Sequence, residues 1–248
     1  MTARPDFTIG IEEEYLVVDI GTLNLVSKMP HGLMDECYEA LGDQVKKELL
    51  QCQIEIGTRV CRSMQEIRDE LVRLRGTVAE IARKYDCLIM ASSTHPISFG
   101  STLITDDQRY RDLVHQLQRV VASMYISGMH IHVGIPDDER RIDYMNQTTY
   151  SLPHFLSLST SSPFWRGEKT GYRSHRVSVF DQLPRTGLPP HFQSYTDYMQ
   201  HVDILVNLQI IEDPTKIWWD LRPSWKFPTL EMRITDLCTN LDLSLIHI

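Results

Sequence analysis

Apolar and polar residues alternate in four short stretches of the chain, and a period of two predicts a strand in each. The stretches are Gly10-Ile-Glu-Glu-Glu-Tyr15, Gln51-Cys-Gln-Ile-Glu-Ile-Gly57, Gly128-Met-His-Ile-His-Val-Gly134 and Thr229-Leu-Glu-Met-Arg-Ile-Thr235. Side chains two apart share a face of a strand. Glu12 therefore falls with Glu14, Gln53 with Glu55, His130 with His132, and Glu231 with Arg233. Ile9, Ile11, Ile54, Ile56, Ile131, Val133, Leu230 and Ile234 turn the other way, toward a core. A carboxylate-rich face in an otherwise apolar protein costs free energy unless a cation sits on it. The pattern points to a divalent metal, and the metal to a phosphate.

The remaining text fills in around these strands. Phe7–Asp19 reads as one strand, with a turn at Gly21 and a return over Leu23–Ser27. Pro30–Leu41 is weakly helical and stops at Gly42, and Lys47–Gly57 is a second main strand. Ser63-Met-Gln-Glu66 is a capping box that opens a helix to about Tyr85, with Ile67, Leu71, Leu74, Val78, Ile81 and Ala82 at the helical period. A short strand over Cys87–Ala91 and a helix from Asp107 to Val121 lead to a third main strand, Met124–Ile135. Asp137 and Asp138 cap a helix through Thr149. Leu152–His191 reads as loop, Ser194–Gln209 as helix, and Ile217–Leu237 as the last strands around a turn between Pro223 and Pro228. No repeat or linker divides the chain, so residues 1–242 form one domain of α+β class. The expected core is a curved, mostly antiparallel sheet, lined on its polar face and covered by helices on its outer face.

The composition is that of a globular protein: 248 residues, 42% hydrophobic, 23% charged, net charge −8. An acidic chain without a basic stripe is not a general nucleic-acid binder. No stretch has the ~20 apolar residues of a membrane span. Met1–Asp6 has no apolar signal region, which makes the cytoplasm the expected compartment. Five cysteines without a C-x-x-C pair suggest buried thiols rather than disulfides or a zinc knuckle.

Glu13 points away from Glu12 and Glu14, toward an ion pair or solvent. Glu48 and Glu55 are seven apart, and so on opposite faces of a regular strand. They converge only if Glu48 precedes the strand or a bulge intervenes; spacing alone favours a surface Glu48 beside Lys46 and Lys47. His130 and His132 form an H-x-H pair, and oxygen-rich surroundings favour Mg²⁺ or Mn²⁺ over Zn²⁺. Spacing does not decide which histidine binds. Arg166, Lys169, Arg173, Arg176 and Arg185 crowd one loop-rich stretch and suit phosphate or carboxylate recognition. Neither a P-loop nor a dinucleotide fingerprint is present. Arg233 beside Glu231 is either a structural ion pair or a phosphoryl-stabilising group. Trp218, Trp219 and Trp225 read as core or interface rather than as a base-stacking platform.

Together with Ala91-Ser-Ser-Thr-His95, Ser161-Ser-Pro-Phe-Trp-Arg-Gly167, Leu183-Pro-Arg-Thr-Gly-Leu-Pro-Pro190 and Trp218-Trp-Asp-Leu-Arg-Pro223, the four strands run in one order along nearly the whole chain. In this the sequence resembles the YbdK-type carboxylate–amine ligases, also described as glutamate–cysteine ligase family 2. The resemblance implies a glutamine-synthetase-like fold that binds ATP and Mg²⁺ or Mn²⁺. It implies amide formation through an acyl phosphate, from a small carboxylate (glutamate) and an amine (cysteine). One metal set would comprise Glu12, His130 and Glu231. The other would comprise Glu14, Glu48 and Glu55, which reverses the preference from spacing at Glu48. Arg233 and Arg173 would act in the reaction, and Arg166, Arg176 and Arg233 would hold the nucleotide. A homodimer is a compatible assembly. The alternatives are a metal-dependent hydrolase built on the His-x-His pair, or a nucleotide-binding fragment without turnover. Residues 243–248, Leu-Ser-Leu-Ile-His-Ile, match the translation of a sequencing-library adapter. The expectation is therefore a native chain that is cut near Asp242, incomplete at its C-terminus and weakly active or inactive as it stands.

Overall fold

The long central strand β1 (Ile9–Asp19) organises the fold, and its Ile11, Tyr15, Leu16 and Val17 are buried. The structure is a computed structural model that describes residues 7–97 and 102–247. The segment Met1–Asp6 and the last residue, Ile248, lie outside the described residues. After β1 come α1 (Leu33–Leu41), β2 (Val45–Lys47), β3 (Gln53–Gly57), α2 (Met64–Arg83), β4 (Cys87–Met90) and α3 (Gln108–Leu117). Then follow β5 (Met129–Gly134), α4 (Asp138–Thr149), α5 (Leu152–Ser159), β6 (Phe164–Trp165), β7 (Glu168–Lys169) and α6 (His175–Phe180). The chain ends in α7 (Tyr195–Asn207), β8 (Leu221–Pro223), β9 (Thr229–Met232) and α8 (Leu241–His247). The main sheet has the order β2-β3-β1-β5-β9-β8, with β4 also on β1. Its pairings are all antiparallel.

Local signals set the helix ends. Ser63 accepts a hydrogen bond from the Glu66 backbone N–H at 3.2 Å, and the Glu66 carboxylate accepts from the Arg62 N–H at 2.9 Å. The predicted cap therefore forms, with its return bond one residue early. Gly42 ends α1 at φ 59, in the left-handed region that glycine enters without steric cost. Asp137 caps α4 by accepting from the Arg140 N–H at 3.0 Å.

Three expectations change. The strand expected over Lys47–Gly57 is two, β2 and β3, because residues 48–52 turn outward. There the Leu50 N–H bonds to Gln53 Oε1 at 3.3 Å, and the Thr105 N–H bonds to the Leu49 carbonyl at 2.9 Å. The strand expected from Met124 begins at Met129; before it, Ile126 bridges Thr94 and Gly128 bridges Asp236. The stretch expected to be loop, Leu152–His191, holds α5, the β6–β7 hairpin and α6. These elements are too short for periodicity to show.

On the back of the sheet Glu13 is fully buried. Arg75 of α2 grips it through Nε at 2.7 Å and Nη2 at 2.6 Å, and the Tyr15 hydroxyl donates to it at 2.6 Å. Arg75 also donates to the carbonyls of Cys238 and Thr239, tying β1 to the chain after β9. Removing one member of such a pair leaves a buried charge alone. Arg75→Leu should therefore destabilise the fold by about 3–5 kcal/mol, read from urea unfolding. A loss below about 1 kcal/mol, the value of an exposed pair, would contradict this account of the back of the sheet.

Candidate functional site

Register turns the four polar strands into rows across one sheet face. Lys46 on β2, Glu55 on β3 and Glu14 on β1 stand opposite one another. Glu12 on β1 faces His130 on β5. His132 on β5 faces Glu231 on β9, which faces Arg222 on β8. These side chains line one cavity of about 340 Å³.

Two groups of donor atoms result. Glu12, His132 and Glu231 form one, and Glu14, Glu48 and Glu55 the other; within each, one donor atom per residue lies within 4.8 Å of the others. Glu48 joins its group because it precedes β3 in the outward turn, so the strand's parity does not govern it. The first group contains His132 where the family likeness implied His130. In the register His132 sits directly opposite Glu231 and His130 directly opposite Glu12, so both histidines border the group. His130 lies between the groups, 3.4 Å from Glu12 through Nδ1 and 3.9 Å from Glu14 through Nε2.

The donor set fits a divalent cation. His132 Nδ1 meets the Thr229 hydroxyl at 3.1 Å, while its buried Nε2 has no hydrogen-bond partner among the described residues and lies 3.5 Å from a Glu12 oxygen. That is the arrangement of a histidine held by one nitrogen and free to ligate with the other. Oxygen donors with one imidazole suit Mg²⁺ or Mn²⁺.

Cations frame the carboxylates. Lys46 lies 3.0 Å from Glu55 and 4.0 Å from Glu12, bridging the groups from the rim. Glu231 is held by Arg222 Nε at 2.8 Å and by Arg233. Arg176 reaches the same cavity from α6. Its Nη1 donates to the Arg233 carbonyl at 2.9 Å and its backbone N–H to Ser162 Oγ at 3.1 Å. Ser162 donates at 2.7 Å to Asp236, which also accepts from Ser174 at 2.9 Å. A Cβ at position 128 would collide with the Arg176 guanidinium, which explains the glycine at that point of the motif. The Nε atoms of Arg176 and Arg233 are buried without a hydrogen-bond partner among the described residues. Both guanidinium groups lie over the Phe180 ring. Two guanidinium groups with unused donors suit an anion.

Of the loop arginines, the structure brings only Arg176 to the cavity. Arg166 and Arg173 are exposed near the β6–β7 hairpin, and neither lines it. Lys169 is exposed on β7, and Arg185 packs over Trp218 with its Nε on the Lys216 carbonyl. Sequence reading gave no role to Lys46 or Arg222. The available signal was Arg222 inside the Trp-Trp-Asp-Leu-Arg-Pro motif, two residues after Asp220, and Lys46 just before a polar-faced strand.

Burial, then the nearby Arg233 charge, pushes His130 down to about 4, so it is neutral at pH 7. Glu231 is held below the usual carboxylate range: burial opposes this, but Arg233 and Arg222 outweigh it. Glu48 goes the other way, raised well above its ordinary 4.5 by burial and then by Glu14 and Glu55. With no divalent cation added, the folded state keeps a proton that the unfolded chain loses above about 4.5. It binds more protons than the unfolded state there, so this group's stabilisation falls as pH rises through its folded pKa. Glu48→Gln should flatten that fall and make the chelator-treated protein more stable than the parent at pH 8, with little difference near pH 4. Equal pH slopes in thermal unfolding would contradict a Glu48 pKa raised by burial and then by Glu14 and Glu55.

The profile of glutamate–cysteine ligase family 2 (GCS2) matches residues 8–247. A Rhodospirillum rubrum protein, described as a proposed glutamate–cysteine ligase 2, is 50% identical over 244 residues, covering 96% of this chain and 63% of its own. A Jannaschia relative with the same description is 51% identical over 237 residues, covering 95% of this chain and 62% of its own. The chain thus spans less than two thirds of the length of these relatives. Among solved structures, a bifunctional glutathione synthetase from Pasteurella multocida superposes with TM-score 0.72 at 14% identity, over 97% of this chain and 38% of that one. A Francisella tularensis glutamate–cysteine ligase in complex with AMP does so with TM-score 0.64 at 14% identity, over 94% of this chain and 62% of that one. The fold is thus the mixed, antiparallel-sheet fold of these ligases, and no helix among the described residues is long and apolar enough to cross a membrane. By the family match over 8–247 and by relatives at half identity, the chain belongs to glutamate–cysteine ligase family 2.

Proposed function

We propose that this chain carries the phosphoryl-transfer centre of an ATP-dependent carboxylate–amine ligase, with glutamate as the carboxylate and cysteine or a similar small amine as the acceptor. One observation carries the reading: two carboxylate-rich donor groups share one cavity with two arginines whose buried Nε atoms have no hydrogen-bond partner among the described residues. The AMP bound by the Francisella tularensis ligase supports the choice of nucleotide.

Glu12, His132 and Glu231 would hold one divalent cation, and Glu14, Glu48 and Glu55 a second. Mg²⁺ or Mn²⁺ at these positions supplies charge neutralisation and alignment for the phosphate oxygens. Arg233 and Arg176 face the same cavity and stabilise the charge on the transferring group. A substrate carboxylate oxygen bonds to the γ-phosphorus, and the bond from that phosphorus to the β–γ bridging oxygen breaks, releasing ADP. The amine nitrogen then bonds to the acyl carbon. The carbon–oxygen bond to phosphate breaks, phosphate leaves with the electron pair, and the nitrogen gives up a proton. Arg166 and Arg173, exposed outside the cavity, take the lesser role of attracting an anionic substrate.

The test is phosphate and ADP release by a full-length protein carrying this chain, given ATP, Mg²⁺ and glutamate, with and without a panel of amines. Amine-dependent release is expected, and Glu231→Gln and Glu55→Gln should each lower kcat/KM by about 10²-fold or more. Turnover of an amide or ester without ATP would instead support a metal-dependent hydrolase.

A further inference from the structure

The turn between β8 and β9 is built from aromatic residues that face water. Trp225 is 54% exposed and Phe227 58% exposed. Sequence reading places the tryptophans in core or interface, and Trp219 is indeed core at 6% exposed. Trp225 is not. Exposed apolar surface rimmed by polar groups marks binding sites and grooves. Trp225, Phe227 and Trp218 line the cavity that also contains Glu231, Arg222 and Arg233. Arg185 packs over the Trp218 ring at 5.3 Å.

Residues 224–228 close the β8–β9 hairpin, where the Ser224 N–H donates to the Thr229 carbonyl at 2.9 Å, so Trp225 and Phe227 stand at the turn end of the strand pair that carries Arg222 and Glu231. The carboxylates and arginines of the same cavity suit the phosphates, which leaves the exposed aromatics for the base. The same turn borders a second cleft beside Tyr195 and Tyr198, but the arginine there, Arg141, already pairs with Asp138 at 2.8 Å and donates to the Ile135 carbonyl. That leaves less for an anion to bind.

We infer that Trp225 and Phe227 form the stacking platform for the nucleotide base, with Trp218 as an adjoining wall. The inference rests on the nucleotide reading above and adds where the base sits and what holds it. Stacking on an aromatic face accepts any base, so the platform contributes affinity with little choice between purines.

The experiment compares the 248-residue chain with Trp225→Ala and Phe227→Ala. Calorimetry titrates each with ATP, GTP and inorganic tripolyphosphate in Mg²⁺, and thermal unfolding confirms that the exposed substitutions leave the fold intact. The parent should bind ATP and GTP with similar affinity and tripolyphosphate more weakly. Each variant should lose about tenfold in affinity for both nucleotides and bind tripolyphosphate unchanged. Parent affinities equal for ATP and tripolyphosphate, or variants that keep full nucleotide affinity, would overturn the platform and leave the phosphate site standing. A self-association lost in Trp225→Ala while ATP binding persists would overturn it in favour of an interface between copies. A parent that binds neither ATP nor tripolyphosphate would overturn the nucleotide reading and the platform with it.

Discussion

Glu12, Glu14, Glu48, Glu55 and Glu231 share one cavity, and their mutual repulsion is the constraint that shapes the surrounding structure. Removing a carboxylate from water is costly unless the charge is paired or coordinated. Lys46, Arg176, Arg222 and Arg233 line the same cavity and offset much of that charge. The offset is uneven. Arg222 and Arg233 hold Glu231 in its ionised form, whereas Glu48, beside Glu14 and Glu55, is driven toward its protonated form. The second group is therefore the one that most needs a further cation.

Such a face holds its shape only if what lies behind it is rigid. Glu13, between the ligand candidates Glu12 and Glu14, is locked by Arg75 and Tyr15. Arg75 continues to the backbone after β9, so one guanidinium ties β1 to the chain beyond the last strand. At the front, Asp236 gathers Ser162 and Ser174 and through them sets the start of α6, which carries Arg176. The polar face thus rests on a buried ion pair behind it and a chain of buried hydrogen bonds beside it.

Much of this was legible in the alternation of single strands. The shared faces of Glu12 with Glu14 and of His130 with His132 follow from a period of two, and the antiparallel register keeps them. What alternation cannot give is which strand lies beside which, or how far each is shifted. Hence the grouping of His132 rather than His130 with Glu231 was not readable, although both histidines were in view. Glu48 shows the same limit: an outward turn held by residues 103–105, remote in sequence, overrides strand parity. Arg166, Arg173 and Arg176 looked equivalent as loop cations. Only a six-residue helix, whose Arg176 N–H donates to Ser162 Oγ, separates Arg176 from the other two.

The central claim is that the two carboxylate groups are two cation sites. Titration of the chelator-treated chain with Mn²⁺, followed by electron paramagnetic resonance, counts bound ions directly. Two ions per chain are predicted, with one lost in Glu48→Gln and the other in Glu231→Gln. A folded chain that binds no Mn²⁺, or whose bound ions survive both substitutions, would contradict it.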